Sequence, residues 1–207
     1  MKSFVAITLA AAASAAAMPA PVPQAGTSFP LPFLGQALAE GTEIHQKFIN
    51  ANGLKFWIGK NTTTYCPEDS AAADVCETAN KNQTIFGYLN GESKLQLLTQ
   101  VPGGQQAYVT AGNETAGQVA GELKFTPAHS SQTDGPALYD GFLNVYDAKL
   151  QFEGQDWFAC PADNFNTGYG IWAQSRVEGS DPGAECISFT WHVDQLADDV
   201  VTAWQYV

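Results

Sequence analysis

Leu54-Lys55-Phe56 sets the pattern that decides the fold, and Leu95-Gln96-Leu97, Leu123-Lys124-Phe125 and Leu150-Gln151-Phe152 echo it. Each places a long polar residue between two apolar ones. On an extended chain successive side chains point to opposite faces, so Leu and Phe share one face and Lys or Gln takes the other. The echoes begin 41, 28 and 27 residues apart (54, 95, 123, 150), too irregular for a repeat array. They fit an all-β domain, read first as a compact β-trefoil-like barrel, with a β-sandwich as the alternative.

Short runs rich in β-branched and aromatic residues continue the theme on both sides. Strands are expected at 42–49, 54–58, 84–89, 94–99, 106–110, 122–126, 141–146, 149–152, 157–160, 169–174 and 186–193. Asn52-Gly53, Asn90-Gly91, Pro102-Gly103-Gly104 and Asp140-Gly141 supply turns, since Asn, Asp and Gly accept positive φ at low cost. No apolar pattern of helical period lasts three turns. Residues 193–203 read as a loop with one helical turn at most.

The N-terminal region reads differently. Lys2 precedes an uncharged, mostly apolar run over 4–17 that ends in Ala15-Ala16-Ala17. A charged start, a short apolar stretch and a small-residue exit mark a secretory signal peptide, expected over 1–17. Pro19, Pro21, Pro23, Pro30 and Pro32 make 18–32 a Pro/Ala-rich leader or linker. Residues 33–207 are expected to be one domain. The end of the chain carries Asp198, Asp199 and Gln205, not the apolar tail of a lipid-anchor signal. No membrane association is expected after cleavage of the leader.

The net charge of −12 sets the chain against nucleic acid or another polyanion. In an oxidising compartment the four cysteines are expected to form disulfides, Cys66 with Cys76 and Cys160 with Cys186, although three pairings are open. They lack C-x-x-C spacing, and no histidine is near them in sequence, so no metal site is expected. Asn61-Thr62-Thr63, Asn82-Gln83-Thr84 and Asn113-Glu114-Thr115 are N-glycosylation sequons, expected on surface loops.

Catalytic signatures are missing: no G-x-S-x-G, H-E-x-x-H, Walker loop or G-x-G-x-x-G occurs. His45, His129 and His192 are isolated, and His129 with Ser130, Ser131 and Asp134 reads as a polar turn before it reads as a triad. Asp163, Asn164, Asn166 and Gly168 resemble a calcium loop, but Gln174 stands where the bidentate Glu belongs. Glu92, Glu122, Asp140, Asp147, Glu153 and Asp156 include enough carboxylates for a glycosidase pair, as does any chain with 21 acidic residues. No enzyme activity and no cofactor are expected. Aromatic side chains carry the more specific chemistry. Trp57, Tyr65, Tyr108, Trp157, Trp172, Trp191 and Trp204 could present flat faces to sugar rings or fill the core. Gln155-Asp156-Trp157 has the Q-x-W form of one lectin type, in a single copy. Tyr65, Tyr108 and Trp157 are the candidate carbohydrate contacts.

Several segments resemble the fungal PhiA-like cell-wall proteins and their relatives described as secreted IgE-binding proteins. They are Gly53-Leu54-Lys55-Phe56-Trp57-Ile58-Gly59, Thr64-Tyr65-Cys66-Pro67 and Val101-Pro102-Gly103-Gly104-Gln105-Gln106-Ala107-Tyr108-Val109. Leu150-Gln151-Phe152-Glu153-Gly154, Phe158-Ala159-Cys160-Pro161, Ile171-Trp172-Ala173, Cys186 and Ala203-Trp204-Gln205-Tyr206 complete the pattern. Residues 112–121 and 194–199 depart from it. The resemblance implies a secreted, cell-wall-associated fungal protein linked to conidium and spore-bearing-cell development, with no catalytic residues to carry over. Cell-wall polysaccharide is the expected partner. A secreted lectin or effector is the alternative, and a glycoside hydrolase comes behind both.

Overall fold

The computed structural model describes residues 31–68, 73–89, 91–143, 147–162, 168–177 and 185–207. The expected signal peptide, nearly all of the leader and Asp163, Asn164 and Asn166 lie outside them.

Fifteen strands carry these residues. The first eight are β1 (Leu31–Leu38), β2 (Ile49–Asn52), β3 (Lys55–Ile58), β4 (Thr64–Tyr65), β5 (Phe86–Leu89), β6 (Lys94–Leu97), β7 (Gln105–Thr110) and β8 (Leu123–Phe125). Then come β9 (Ala137–Leu138), β10 (Phe142–Leu143), β11 (Lys149–Phe152), β12 (Trp157–Pro161), β13 (Tyr169–Ala173), β14 (Ile187–Gln195) and β15 (Gln205–Tyr206). Among the described residues one α-helix, α1 (Ala73–Thr78), interrupts them. No helix among the described residues is long and apolar enough to cross a membrane.

The pairings are antiparallel and build one large sheet in the order β1-β5-β6-β7-β8-β3-β13-β12-β14-β11-β10. The path turns back on itself. β1 pairs with β5 through Phe33↔Phe86 and with β14 through Phe33↔Gln195 to Leu38↔Thr190, so both its edges are used. β11 and β12 take successive stretches of the far edge of β14, at Leu150↔Trp191 and Trp157↔Phe189. β15 and β4 form a separate two-stranded ladder.

Alternation places the core as expected in three of the four echoes. Leu95 and Leu97, Leu123 and Phe125, and Leu150 and Phe152 are buried together. The first echo needs correction. Leu54 is 38% exposed while Phe56 is buried. Gly53 and Leu54 both have positive φ and form the two-residue turn that sets Asn52 opposite Lys55, so Leu54 belongs to the turn and not to the strand. Residues 42–47, expected to open a strand, form successive turns, and Ile44 is buried from there. Strand β1 begins at Leu31, inside the expected leader.

Aromatic rings fill the centre. Trp191 lies 5.2 Å from Phe86 and 5.5 Å from Trp157 between centroids, and Phe142 and Phe152 pack edge to face at 5.1 Å. Burying each such ring contributes about 1.5–3 kcal/mol relative to exposure. Buried Gln105 ties the last strand to this core. Its Nε2 donates to the carbonyls of Thr126 (3.1 Å) and Tyr206 (3.0 Å), and its Oε1 accepts from the Tyr206 N–H (2.8 Å). Burial raises the Tyr206 phenol to about 12, although its oxygen accepts from the Ile85 N–H.

Both disulfides join the expected partners. Cys66–Cys76 ties the end of β4 to α1, and Cys160–Cys186 ties β12 to the approach to β14. No sulfur is left as a free thiol.

Candidate functional site

An open groove of about 860 Å³ lies on the described surface, within the roughly 300–1,000 Å³ range usual for ligand sites. Four segments far apart in sequence build it. The β5–β6 hairpin supplies Glu92, Lys94 and Gln96, and the turn at 102–104 leads into Gln106 on β7. The segment after β8 supplies His129, and Tyr139 follows β9.

Backbone pairing fixes these pieces. β8 and β9 both meet β7 at Val109, so β9 takes the edge opposite β8, the edge that β6 occupies at Gln105 and Gln106. Tyr139 leaves β9, and the next residues return to β6. Lys94 bridges Asp140, and the N–H of Phe142 donates to the Ser93 carbonyl at 3.0 Å. Tyr139 is thereby held in the gap between β6 and β9. Its ring, half exposed to the groove, is backed by Tyr108 at 5.9 Å between centroids. Gly103 and Gly104 have positive φ, and the turn they form brings bare backbone to the wall.

The charges of the groove cancel locally. Lys94 Nζ lies 3.0 Å from Glu92 Oε2, and the hydrogen bond to Glu92 followed by that carboxylate's charge raises the ammonium above the usual lysine value. What remains is amide, hydroxyl and ring surface, chemistry suited to a neutral, hydroxyl-rich ligand. Ser130 and Ser131 also line the groove beside exposed His129, which sits in a polar turn as expected. Asp134 Oδ2 is 2.8 Å from Lys124 Nζ.

That ion pair belongs to a small network on the outer face of the sheet. Lys124 is 8% exposed, and its Nζ also lies 3.1 Å from Glu122 Oε2. Glu122 Oε1 in turn meets Lys55 Nζ at 2.6 Å. Burial works against the Lys124 charge, but hydrogen bonds to Asp134 and Glu122 outweigh it and hold the ammonium above its usual value. The hydrogen bond from Lys124 and then its charge keep Asp134 below the usual carboxylate range.

The candidate carbohydrate contacts separate. Tyr65 is 53% exposed, as expected. Tyr108 and Trp157 need correction, because they are 3% and 0% exposed. Tyr108 points outward from β7 opposite Lys124, but the loop after β8 folds back over it and the Asp134 N–H donates to its hydroxyl at 3.2 Å. Trp157 faces inward, with its Nε1 donating to the Leu150 carbonyl at 2.7 Å. Its Q-x-W context marks a core position.

Of the sequon asparagines, Asn61 and Asn82 are exposed and Asn113 is half-buried, its Oδ1 accepting from the Ala116 N–H at 3.2 Å. Thr62 and Thr84, one in each of the first two sequons, share a buried hydrogen bond of 3.0 Å, so Asn61 and Asn82 lie on one flank. The groove and the half-exposed Trp57 and Trp172 are what the sequence did not single out as the site. Only Gly103-Gly104 and the His129 cluster pointed toward the groove.

A family model, PhiA-like secreted protein, matches residues 33–207. The match covers most of the chain, and the chain belongs to the PhiA-like secreted protein family. No curated protein and no solved structure matches it.

Proposed function

We propose that this PhiA-like secreted protein is a non-enzymatic, N-glycosylated component of the fungal cell wall that contacts wall polysaccharide through the groove beside Tyr139. The observation that carries the reading is the make-up of that groove: a half-exposed ring fixed by backbone pairing, amide side chains from Gln96 and Gln106, and a lysine neutralised by Glu92. Aromatic faces pack against the C–H faces of sugars, and amides exchange hydrogen bonds with hydroxyls. The engagement of Glu122 by two lysines, and of Glu92 by Lys94, supports a binding role over hydrolysis. A role in conidium or spore-bearing-cell development follows from the family resemblance. The circuit from β1 through β14 and back supports a barrel-like closure over a sandwich; two face-to-face sheets in a crystal structure would remove that part.

Co-sedimentation of the secreted full chain with insoluble β-1,3-glucan and with chitin tests the function. Retention is expected on at least one, weakened about fivefold by Tyr139→Ala at an unchanged melting temperature. Passage of the wild-type chain through both, with recovery only in the culture fluid, would sink the wall reading. Binding on an array confined to glycans foreign to fungi would replace it with the secreted lectin or effector.

A further inference from the structure

The outer face of the sheet carries a second feature, separate from the groove. Strands β3, β13 and β12 lie side by side, with Trp57 opposite Gly170 and Trp172 opposite Phe158. Trp57, Trp172 and Phe158 are all half exposed. They run diagonally across three strands, a row of about 10 Å by strand spacing alone.

Both indoles lie close to Gly170. A Cβ added there would stand 3.7 Å from Trp172 Nε1 and 3.9 Å from Trp57 Cζ3. One atom of each ring is therefore near the same backbone position, and Gly170 itself is buried. Trp57 is fixed further by donating from its Nε1 to the Asn52 carbonyl at 2.9 Å.

Two observations specify the occupant. Trp172 Nε1 has no hydrogen-bond partner among the described residues and is not among the buried unsatisfied atoms, so a donor stands open at the edge of the row. The fixed charges alongside cancel, two lysines (Lys55, Lys124) against two carboxylates (Glu122, Asp134). The remaining cation, Lys60, lies with Nζ 3.2 Å from the Trp57 ring centroid. Burial and then the nearby Lys55 charge lower its pKa. An acidic partner would meet the repulsion of a chain of net charge −12. A neutral chain of sugar rings meets flat C–H-accepting faces, an open donor and one displaceable ammonium.

We propose that Trp172, Trp57 and Phe158 form a docking strip for a neutral polysaccharide, distinct from the Tyr139 groove. The inference rests on the proposed contact with wall polysaccharide and adds a second point of attachment. Two linked sites raise retention on an insoluble polymer well beyond either alone.

The test uses the secreted full chain with insoluble β-1,3-glucan, chitin, and soluble laminari- and chito-oligosaccharides. Trp172→Ala is expected to lower retention about tenfold and Trp172→Phe about twofold, both with native near-UV circular dichroism. Lys60→Ala uncovers the Trp57 ring and is expected to raise retention about twofold, a gain that misfolding cannot mimic. Soluble oligosaccharide should still shift tryptophan fluorescence in the Tyr139→Ala variant. Should Tyr139→Ala abolish retention while Trp172→Ala and Lys60→Ala change nothing, the strip is wrong and the groove stands. Should the wild-type chain bind none of the probes, both readings fall. Concentration-dependent self-association lost in Trp172→Ala would overturn the proposal in favour of a second copy as occupant.

Discussion

Gly35 sits in the middle of β1, and replacing it with alanine should be among the most damaging single-methyl changes in this protein. Its φ is not positive, so the backbone itself would accept alanine. The obstacle is Trp191. A Cβ at position 35 would lie 2.5 Å from Trp191 Nε1, 2.7 Å from Cε2 and 2.8 Å from Cζ2. Carbon contacts are comfortable at about 3.5–4.0 Å, so the ring would have to retreat by roughly 1 Å. Trp191 is fully buried between Phe86 and Trp157 and has nowhere to go. Overpacking of this kind costs about 1–3 kcal/mol, and rigid rings on both sides place Gly35→Ala near 3 kcal/mol. At about 2–4 °C per kcal/mol for a domain of this size, the melting temperature should fall by roughly 6–12 °C. Gly170→Ala is the matched control. Its new methyl would meet its nearest neighbour at 3.7 Å, an ordinary contact, and its cost should stay under about 1 kcal/mol. Differential scanning calorimetry of both variants decides the matter. If Gly35→Ala melts within about 2 °C of wild type, or no lower than Gly170→Ala, the account of how the core meets β1 is wrong.

Gln105→Ala would strand the Thr126 and Tyr206 carbonyls and the Tyr206 N–H in a buried site. A loss of roughly 2–4 kcal/mol is expected, with faster amide exchange over 204–207, and unaltered exchange there would refute the clamp. Asp156 gives a pH signature. Burial pushes its carboxyl up, but hydrogen bonds from Gln151, Thr190 and Lys149 and the Lys149 charge outweigh it and hold the pKa low. Its stabilising contribution is therefore complete above the unfolded carboxylate pKa and lost as pH falls through the lower folded value. Thermal melts should separate wild type from Asp156→Asn most at neutral pH and converge below about pH 4; a gap constant down to pH 2 would contradict this.

Much of the sheet was legible because half-buried strands advertise themselves. Lys149–Phe152 reads as a strand from its alternation alone, and 94–97, 157–161 and 169–173 fall within a few residues of expectation. β1 was hidden for the opposite reason. With both edges paired and four consecutive residues buried from Pro32 to Gly35, it has no period of two, and its prolines resemble a linker. Residues 42–47 failed the other way. Thr42 and Ile44 have strand propensity, but the N–H groups of Thr42, His45 and Lys47 bond carbonyls three residues back and make turns. Tyr108, expected to be exposed, points outward from β7, but no local signal announces that a loop some 25 residues later will cover it. The groove was illegible as a unit because its walls come from hairpin, turn, loop and strand end, joined only by pairing across the sheet.

The placement of the disulfides ties the fold to its compartment. Where ladders are long, as between β1 and β14 over six registered pairs, the sheet holds itself. The Cys66–Cys76 bridge lies where pairing is thin. Cys66–Cys76 closes the stretch leaving the two-pair β4–β15 ladder, and Cys160–Cys186 brackets the excursion containing β13 before the chain returns as β14. Their sequence separations of 10 and 26 correspond to about 3 kcal/mol each by chain entropy, comparable with a large part of a domain's net stability of about 5–15 kcal/mol. A reducing cytosol would withdraw that support. Outside the cell it persists.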